Sequence, residues 1–161
     1  MSRSFEDDIS ITIEKYGDMI RRICFLYFNN RADVEDVFQE VFLQYFLNKK
    51  TFEDEEHKKA WLCRVTFNKC KDLSKSFWRK RVVGLDSVDG LVPYDNEEQS
   101  EVLHAVMNLP VEYRNIIYMH YYEGFTIPEI AEVMGKNINT IYSKLRRAKG
   151  KLKKELGEIE L

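Results

Sequence analysis

Apolar residues recur along most of this chain at steps of three and four, and this spacing constrains the fold more than any other feature of the sequence. Residues with this spacing share one face of an α-helix. The runs that show it occupy residues 9–27, 34–45, 61–77, 102–107 and 127–156, and Asn29-Asn30 breaks the pattern between the first two. Pro110 suits the first turn of a further helix that runs to about Tyr122, and Leu156 is expected to belong to the buried stripe of the last helix. Three prolines and seven glycines are too few for an all-β chain rich in turns. The sequence therefore predicts an all-α protein.

A break in the periodicity divides the chain into two parts. Residues 82–98 contain Gly84, Gly90 and Pro93 and sustain no period, which is typical of a linker. A length of 161 residues suits two small domains. We therefore expect a three-helix domain over 5–81, an acidic linker over 82–98 and a second helical domain over 99–157.

Residues 126–148 carry the local signals of a helix, a tight turn and a second helix. Thr126 with Glu129 three places later forms a capping-box pattern, and Gly135 suits the left-handed end of that helix. Asn137 or Asn139 then caps the last helix. A three-residue turn crosses two helices steeply, as in DNA-binding helix-turn-helix proteins. A plain helical hairpin within a bundle is the alternative interpretation.

The net charge of −2 conceals an uneven distribution of charge. One basic block covers 64–81 and another covers 136–154, and the second contains no Asp or Glu. No Lys or Arg lies between Arg81 and Arg114, where acidic residues accumulate. Two basic blocks on either side of an acidic one can bind a polyanion at two places. Solvated helix faces are the simpler explanation for either block alone.

The remaining residue types argue against several classes of protein. The three cysteines lie in apolar helical patterns without a C-x-x-C pair, so we expect buried, reduced thiols and no metal site. The three histidines are scattered, and neither hydrolase nor phosphate-loop motifs occur, so we expect no enzyme and no cofactor. No signal-peptide core and no apolar run of about 18 residues is present, so we expect a cytoplasmic protein without a membrane span.

The last helix exposes polar side chains that can hydrogen-bond bases or phosphates. The stretches 126–135 and 139–149, with the upstream Leu109-Pro110-Val111-Glu112-Tyr113-Arg114, resemble region 4 of the sigma-70 family. This resemblance implies that the last helix contacts the minus-35 element of promoters. Tyr142 stands where a Lys is common in the family. The predicted minus-35 residues are Asn139, Thr140, Ser143, Lys144, Arg147, Lys149 and Lys151, with Lys153 as a further phosphate contact.

The segment 32–42 resembles region 2.2 of the same family, which binds the clamp coiled coil of RNA polymerase. Its outer face combines Asp36, Gln39, Glu40 and Leu43 at helical spacing. Carboxylates on such a face can pair with arginines of a partner helix. A solvated acidic face would be the stronger interpretation if the segment stood alone.

The segment 61–72 resembles regions 2.3 and 2.4, which open and read the minus-10 element. Melted DNA is bound by aromatic stacking, cationic contacts and a pocket for a flipped base. In the family this pocket lies on the loop that corresponds to 48–54. The resemblance and the residue types together predict minus-10 contacts by Lys49, Lys50, Phe52, Asn68, Lys71 and Lys75.

The resemblance covers 10–80 and 99–156 and implies an extracytoplasmic-function sigma factor. Its implied partners are core RNA polymerase, through the clamp coiled coil and the flap, and promoter DNA. An anti-sigma factor, in the family often anchored in a membrane, is implied as well. The linker's acidic residues fit the hypothesis that it enters the RNA exit path. A helix-turn-helix regulator that acts without polymerase is the alternative.

Overall fold

The computed structural model describes residues 5–48, 51–80 and 97–157, with side chains over 8–48, 51–75 and 101–157. All regular structure in these ranges is helical, as predicted. The chain divides into two compact units, Met1–Leu91 and Val92–Leu161. The predicted linker lies outside the described residues except for Glu97 and Glu98, which are already helical. The hypothesis that its acidic residues enter the RNA exit path stays a prediction, as do the domain boundaries.

Over its described residues, the first unit contains three helices that pack against one another: α1 (Phe5–Phe25), α2 (Arg31–Asn48) and α3 (Glu55–Lys80). Their periodic apolar residues meet in one core, as the spacing predicts. The side chains in the core that are less than 2% exposed include Ile20, Ile23, Val34, Val41 and Leu62. A small unit depends on such contacts, because its buried fraction is low. Since the apolar faces are used in the core, the outer faces of these helices are available for other contacts.

Side-chain caps fix where two of these helices begin. The side-chain oxygen of Asn30 accepts a hydrogen bond of 2.8 Å from the backbone N–H of Asp33 at the start of α2. Asp54 accepts one of 2.8 Å from the backbone N–H of His57 at the start of α3. The first turn of a helix leaves N–H groups without partners, and such caps satisfy them. The predicted break at Asn29-Asn30 is confirmed as the point where α2 is capped.

The second unit contains α4 (Glu97–Met107), α5 (Val111–Ile117), a π-helical segment (Tyr118–Tyr122), α6 (Ile127–Met134) and α7 (Ile138–Leu156). Pro110 lies at the N-cap of α5, one residue earlier than the first-turn position predicted for it. The predicted end near residue 122 is confirmed, but the last turn is wider than an α-turn. Such π segments are uncommon and often occur at functional sites.

The turn between α6 and α7 has the form that the sequence predicts. Thr126 and Glu129 form the capping box, with reciprocal hydrogen bonds of 3.2 Å and 3.0 Å. Gly135 has φ 65° and ψ 35°, the left-handed conformation that glycine adopts at little cost. Asn137 accepts a 2.7 Å hydrogen bond from the N–H of Thr140 and caps α7. Residues 135–137 therefore connect the two helices as a three-residue turn.

Candidate nucleic-acid and polymerase interfaces

Helix α7 has a buried stripe and an exposed opposite face. Ile141, Leu145, Ala148 and Leu152 are at most 5% exposed and hold the helix in the core of the second unit. Leu156, predicted to join this stripe, is half-buried. Since an α-helix has 3.6 residues per turn, the face opposite the stripe carries Asn139, Ser143, Arg146, Gly150 and Lys154, all exposed.

The predicted minus-35 residues divide into two groups by exposure. Asn139, Ser143, Arg147 and Lys151 are exposed, as a DNA contact requires, and so is Lys153. Thr140, Lys144 and Lys149 are half-buried. Exposure is a condition for binding and not a demonstration of it, so these contacts remain predictions.

Lys144 differs from the expectation that it lies on the exposed face. Its ammonium group forms an ion pair with the carboxylate of Glu112 in the first turn of α5. The Lys144 side chain is only 21% exposed. The reason is its position beside the buried stripe of α7, where the side chain reaches α5 instead of solvent. Lys144 therefore connects two helices of the second unit.

Two other lysines of α7 lie over tyrosine rings. The Nζ atom of Lys149 is 5.6 Å from the ring centroid of Tyr121, and that of Lys151 is 5.9 Å from the ring centroid of Tyr113. Cation–π contacts of this kind contribute about 0.5–1 kcal/mol at exposed sites. They restrain where the two ammonium groups lie along the helix.

Among the exposed side chains of α7 that sequence reasoning did not select are Ile138, Tyr142 and Arg146. Ile138 and Tyr142 are 51% and 58% exposed although both are large and apolar. Arg146 is exposed on the face opposite the buried stripe. The period of the buried residues, extended around the helix, would have identified Arg146. It would also have placed Ile138 and Tyr142 beside the stripe and not within it.

Helix α2 presents a second exposed surface. Its predicted polymerase-binding residues Asp36, Gln39, Glu40 and Leu43 are all exposed. Glu40 forms a loose ion pair with Lys69 of α3, with 3.8 Å between the charged atoms. An exposed ion pair contributes about 0–1 kcal/mol, so Glu40 can exchange this partner readily.

This surface continues beyond Leu43 into two apolar residues that sequence reasoning did not select, Phe46 and Leu47. Leu43 is 55% exposed, Phe46 is 40% exposed and Leu47 is 67% exposed, all within the last two turns of α2. Leu47 follows Leu43 at a helical step of four, so the two side chains are neighbours. We call the set Asp36, Gln39, Glu40, Leu43, Phe46 and Leu47 the α2 face. Its acidic part and its apolar part lie end to end along one helix.

A third group of predicted residues lies on α3 and on the loop that precedes it. Asn68 and Lys75 are exposed and Lys71 is half-buried, on one side of α3. Lys49 and Lys50 lie outside the described residues. The Phe52 ring stacks parallel to Tyr45, with 6.3 Å between centroids, and meets Trp61 edge-on at 5.7 Å. Phe52 is half-buried, so this packing anchors the loop to the helices and leaves part of the ring exposed.

A polar network shares Tyr45 with this aromatic cluster. The Tyr45 hydroxyl donates a hydrogen bond to Asp8 and accepts one of 3.3 Å from Thr12. The Lys58 ammonium group is buried, 3.5 Å from the other Asp8 oxygen and 5.2 Å from the Tyr45 ring centroid. Burial disfavours the charged form, but Tyr45, Asp8 and Glu55 together raise the pKa of Lys58 above its usual value. The network therefore ties the start of α1 to α2 and α3.

A second polar contact joins α1 to α3. The Tyr16 hydroxyl donates a 2.7 Å hydrogen bond to the Glu55 carboxylate, which also accepts one from Lys15. Burial and this carboxylate raise the pKa of Tyr16. The hydrogen bond from Tyr16 lowers the pKa of Glu55, although its partial burial opposes the shift.

The three cysteines are buried thiols, as predicted. The Cys24 and Cys70 sulfur atoms are 3.8 Å apart, and Cys63 contacts the sulfur of Met19 at 3.7 Å. Over the described ranges, no three His, Cys, Asp or Glu side chains form a group that could hold a metal ion. Within the same part of the chain, every helix is too short or too polar to span a membrane.

Comparison with known protein families assigns both halves of the chain. A family model described as Sigma-70 region 2 matches residues 12–81, and one described as Sigma-70, region 4 matches residues 99–152. The first match contains the α2 face and the aromatic cluster of Tyr45, Phe52 and Trp61, which we call the Phe52 cluster. The second contains α6, the turn and most of α7.

Individual relatives agree with these matches along most of the chain. The chain is 23% identical over 171 residues to the ECF RNA polymerase sigma factor SigW of Bacillus subtilis, a match that covers 96% of this chain and 91% of the relative. It is 27% identical over 129 residues to the RNA polymerase sigma factor SigV of the same species, with 79% and 78% covered.

A solved structure has a similar fold. The sigma factor RpoE from Bartonella quintana, in complex with the anti-sigma factor NepR, superposes with a TM-score of 0.81 at 20% identity. The superposition covers 95% of this chain and 99% of that one. At this identity the likeness concerns the fold.

Proposed function

Since the chain belongs to the sigma-70 family, as an extracytoplasmic-function RNA polymerase sigma factor, we propose which of its surfaces bind core polymerase and promoter DNA. It is a transcription initiation factor and not an enzyme in the usual sense. It directs core RNA polymerase to promoters. The proposal assigns polymerase to the α2 face, the minus-10 element to the Phe52 cluster with α3, and the minus-35 element to α7.

One observation carries the assignment of polymerase to the α2 face. Leu43 and Leu47 are 55% and 67% exposed, more than any other large hydrophobic side chain among the described residues of the first unit. Exposed apolar side chains next to carboxylates suit a partner helix that supplies both apolar contacts and arginines. In this family such a partner is the clamp coiled coil of polymerase.

The promoter contacts follow from exposure and charge. Helix α7 carries no acidic residue from Ile138 to Lys154, so it approaches the phosphate backbone without repulsion. Asn139 and Ser143 offer hydrogen bonds to base edges, and Arg147 offers a charged contact on the next turn. On α3, Asn68, Lys71 and Lys75 track the backbone of the opened strand.

Two further parts of the proposal concern regulation and location. An anti-sigma factor holds the protein inactive by covering the polymerase-binding surfaces, as the complex of the Bartonella quintana sigma factor with NepR suggests. The protein acts in the cytoplasm, where core polymerase is found. A regulator that acts without polymerase is disfavoured, because the match to sigma region 2 covers residues 12–81, which is most of the first unit.

The experiment measures binding of the full chain to core polymerase and transcription from a promoter library. We expect Leu43→Ser to weaken core binding by about five- to tenfold. Covering a leucine fully is worth about 1.5–3 kcal/mol, and roughly half of that side chain is exposed to be covered. The matched control is Ile11→Ser on α1, which is 41% exposed and lies outside the α2 face.

Three results would contradict the proposal. Equal losses for the two variants would remove the α2 face as the polymerase site. Promoter DNA bound tightly and specifically by the free chain would favour a regulator that acts alone. A chain that supports no transcript from any member of the library, despite binding core polymerase, would contradict the promoter assignments.

A further inference from the structure

The start of α7 differs in chemistry from the rest of the helix. Its first six residues, Ile138–Ser143, carry no charge, and we call them the neutral tip. Residues 144–154 contain seven Lys and Arg and no Asp or Glu, and we call them the basic shaft. Charge on the basic shaft attracts DNA of any sequence. The neutral tip can contribute only by direct contact, through hydrogen bonds and apolar packing.

Within the neutral tip, Ile138 and Tyr142 form an exposed apolar pair. They are 51% and 58% exposed and lie four positions apart, so they are neighbours on one side of the helix. The core of the unit does not use them, since the buried stripe begins with Ile141. Isoleucine and tyrosine are also weaker helix formers than alanine or leucine, so helix stability does not explain them.

Hydrogen-bonding side chains lie directly beside this pair. Asn139 follows Ile138, and Ser143 follows Tyr142, so an apolar row and a polar row run side by side along the neutral tip. In the major groove, an A·T pair presents an adenine edge that matches an Asn side chain and a thymine edge that carries a C5-methyl group. A G·C pair has no such methyl group.

We propose that the neutral tip reads A·T pairs of the minus-35 element, with Ile138 and Tyr142 packed against thymine methyl groups and Asn139 bonded to adenine. The inference rests on the proposed function and adds its base specificity. The basic shaft of the same helix argues for DNA as the occupant of this apolar pair, because it brings the tip to a polyanion. A protein ligand would have to tolerate the seven positive charges that follow.

The test replaces thymine with uracil, which removes the C5-methyl group and keeps the hydrogen-bonding edge. The preferred minus-35 sequence is first selected from a randomised promoter library with core polymerase and the full chain. Each thymine in it, on either strand, is then replaced singly, and binding of the holoenzyme is measured. We expect about fourfold weaker binding at one or two positions, the effect of one buried methyl group.

Variants connect this methyl effect to the two side chains. Ile138→Ala and Tyr142→Ser are expected to bind thymine and uracil promoters equally at the position each one contacts. Tyr122→Ser is the matched control, since that tyrosine is 62% exposed in the same unit but lies outside α7. It should keep the fourfold difference. Asn139→Ala should also keep it while losing its preference for adenine.

The outcomes separate this inference from the proposed function. A holoenzyme that transcribes from selected promoters but tolerates uracil everywhere would overturn the methyl contacts and leave the promoter assignment intact. A methyl effect that persists in the Ile138→Ala, Tyr142→Ser double variant would overturn them as well. A selected element without A·T pairs would do the same. Failure to select any promoter would instead count against the proposed function.

Discussion

The ion pair between Lys144 and Glu112 leads to a prediction that separates the stability of the second unit from DNA binding. The sequence places Lys144 among the minus-35 contacts, whereas the structure directs it toward α5. If its role is to join the helices, Lys144→Gln should destabilise the unit and leave phosphate contacts unchanged. Arg147→Gln, on the exposed face of the same helix, should do the reverse.

The magnitude follows from the exposure of the two side chains. Lys144 is 21% and Glu112 is 39% exposed, so solvent screens the pair only in part. Such a pair contributes up to about 1 kcal/mol, near the upper end for ion pairs at the surface. In a unit of this size that loss lowers the unfolding midpoint by roughly 4–8 °C. Glu112→Gln should cost a similar amount, and the double variant should cost little more than either single one.

The assays must report on the second unit within the full chain. Both tryptophans lie in the first unit, so their fluorescence does not report on the unfolding of the second unit. Hydrogen exchange of α7 amides, resolved by mass spectrometry, gives its opening free energy. The dependence of promoter binding by the holoenzyme on salt then counts phosphate contacts, at a slope of about 0.9 per contact.

The two measurements together can refute this reasoning. We expect Arg147→Gln to reduce the salt slope by about 0.9 and to leave exchange in α7 unchanged. Lys144→Gln should accelerate exchange at an unchanged slope. If Lys144→Gln reduces the slope as much as Arg147→Gln does, Lys144 contacts a phosphate in the bound state and the role inferred from the ion pair is wrong.

Two further predictions concern the cap of α6 and the buried thiols. Thr126→Ala removes the capping box and should destabilise the second unit by about 1 kcal/mol in hydrogen exchange, whereas Thr126→Ser should restore most of it; equal stability of the two variants would contradict this. Cys70 should react with maleimide only after the chain is unfolded in urea, because the neighbouring Cys24 thiol and burial raise its pKa. Complete labelling of the native chain within minutes would show that the site opens readily.

Local signals in the sequence were sufficient to predict most of the helices and their ends. Helix periods and caps depend on residues three or four positions apart, so Thr126 and Gly135 could be assigned from the sequence alone, and the cap of α7 could be narrowed to Asn137 or Asn139, of which the structure uses Asn137. The break before α2 and the buried cysteines could be predicted for the same reason. Apolar spacing also separated the two units, because the linker sustains no period.

Contacts between helices could not be predicted in the same way. Lys144 and Glu112 are 32 residues apart, and their pairing depends on how α5 packs against α7. The stacking of Phe52 on Tyr45 and Trp61 likewise requires the loop to fold back over two helices. Leu47 of the α2 face was missed for a different reason: it lies one turn beyond Leu43 on the same face, so extending the predicted exposed face by four residues would have identified it.

If α7 binds promoter DNA as proposed, its division into a neutral tip and a basic shaft gives affinity and specificity separate physical sources. Charge on the shaft acts on every phosphate, so changes there should alter the salt dependence of binding and leave base preference alone. The tip has no charge with which to alter that dependence, so changes there should alter base preference at a constant slope. A net charge of −2 is compatible with this arrangement because the acidic residues lie elsewhere in the chain. Total charge is therefore a poor predictor of DNA binding for such a chain, whereas the order of neutral and basic residues along α7 predicts which part reads base pairs and which part contributes affinity through charge.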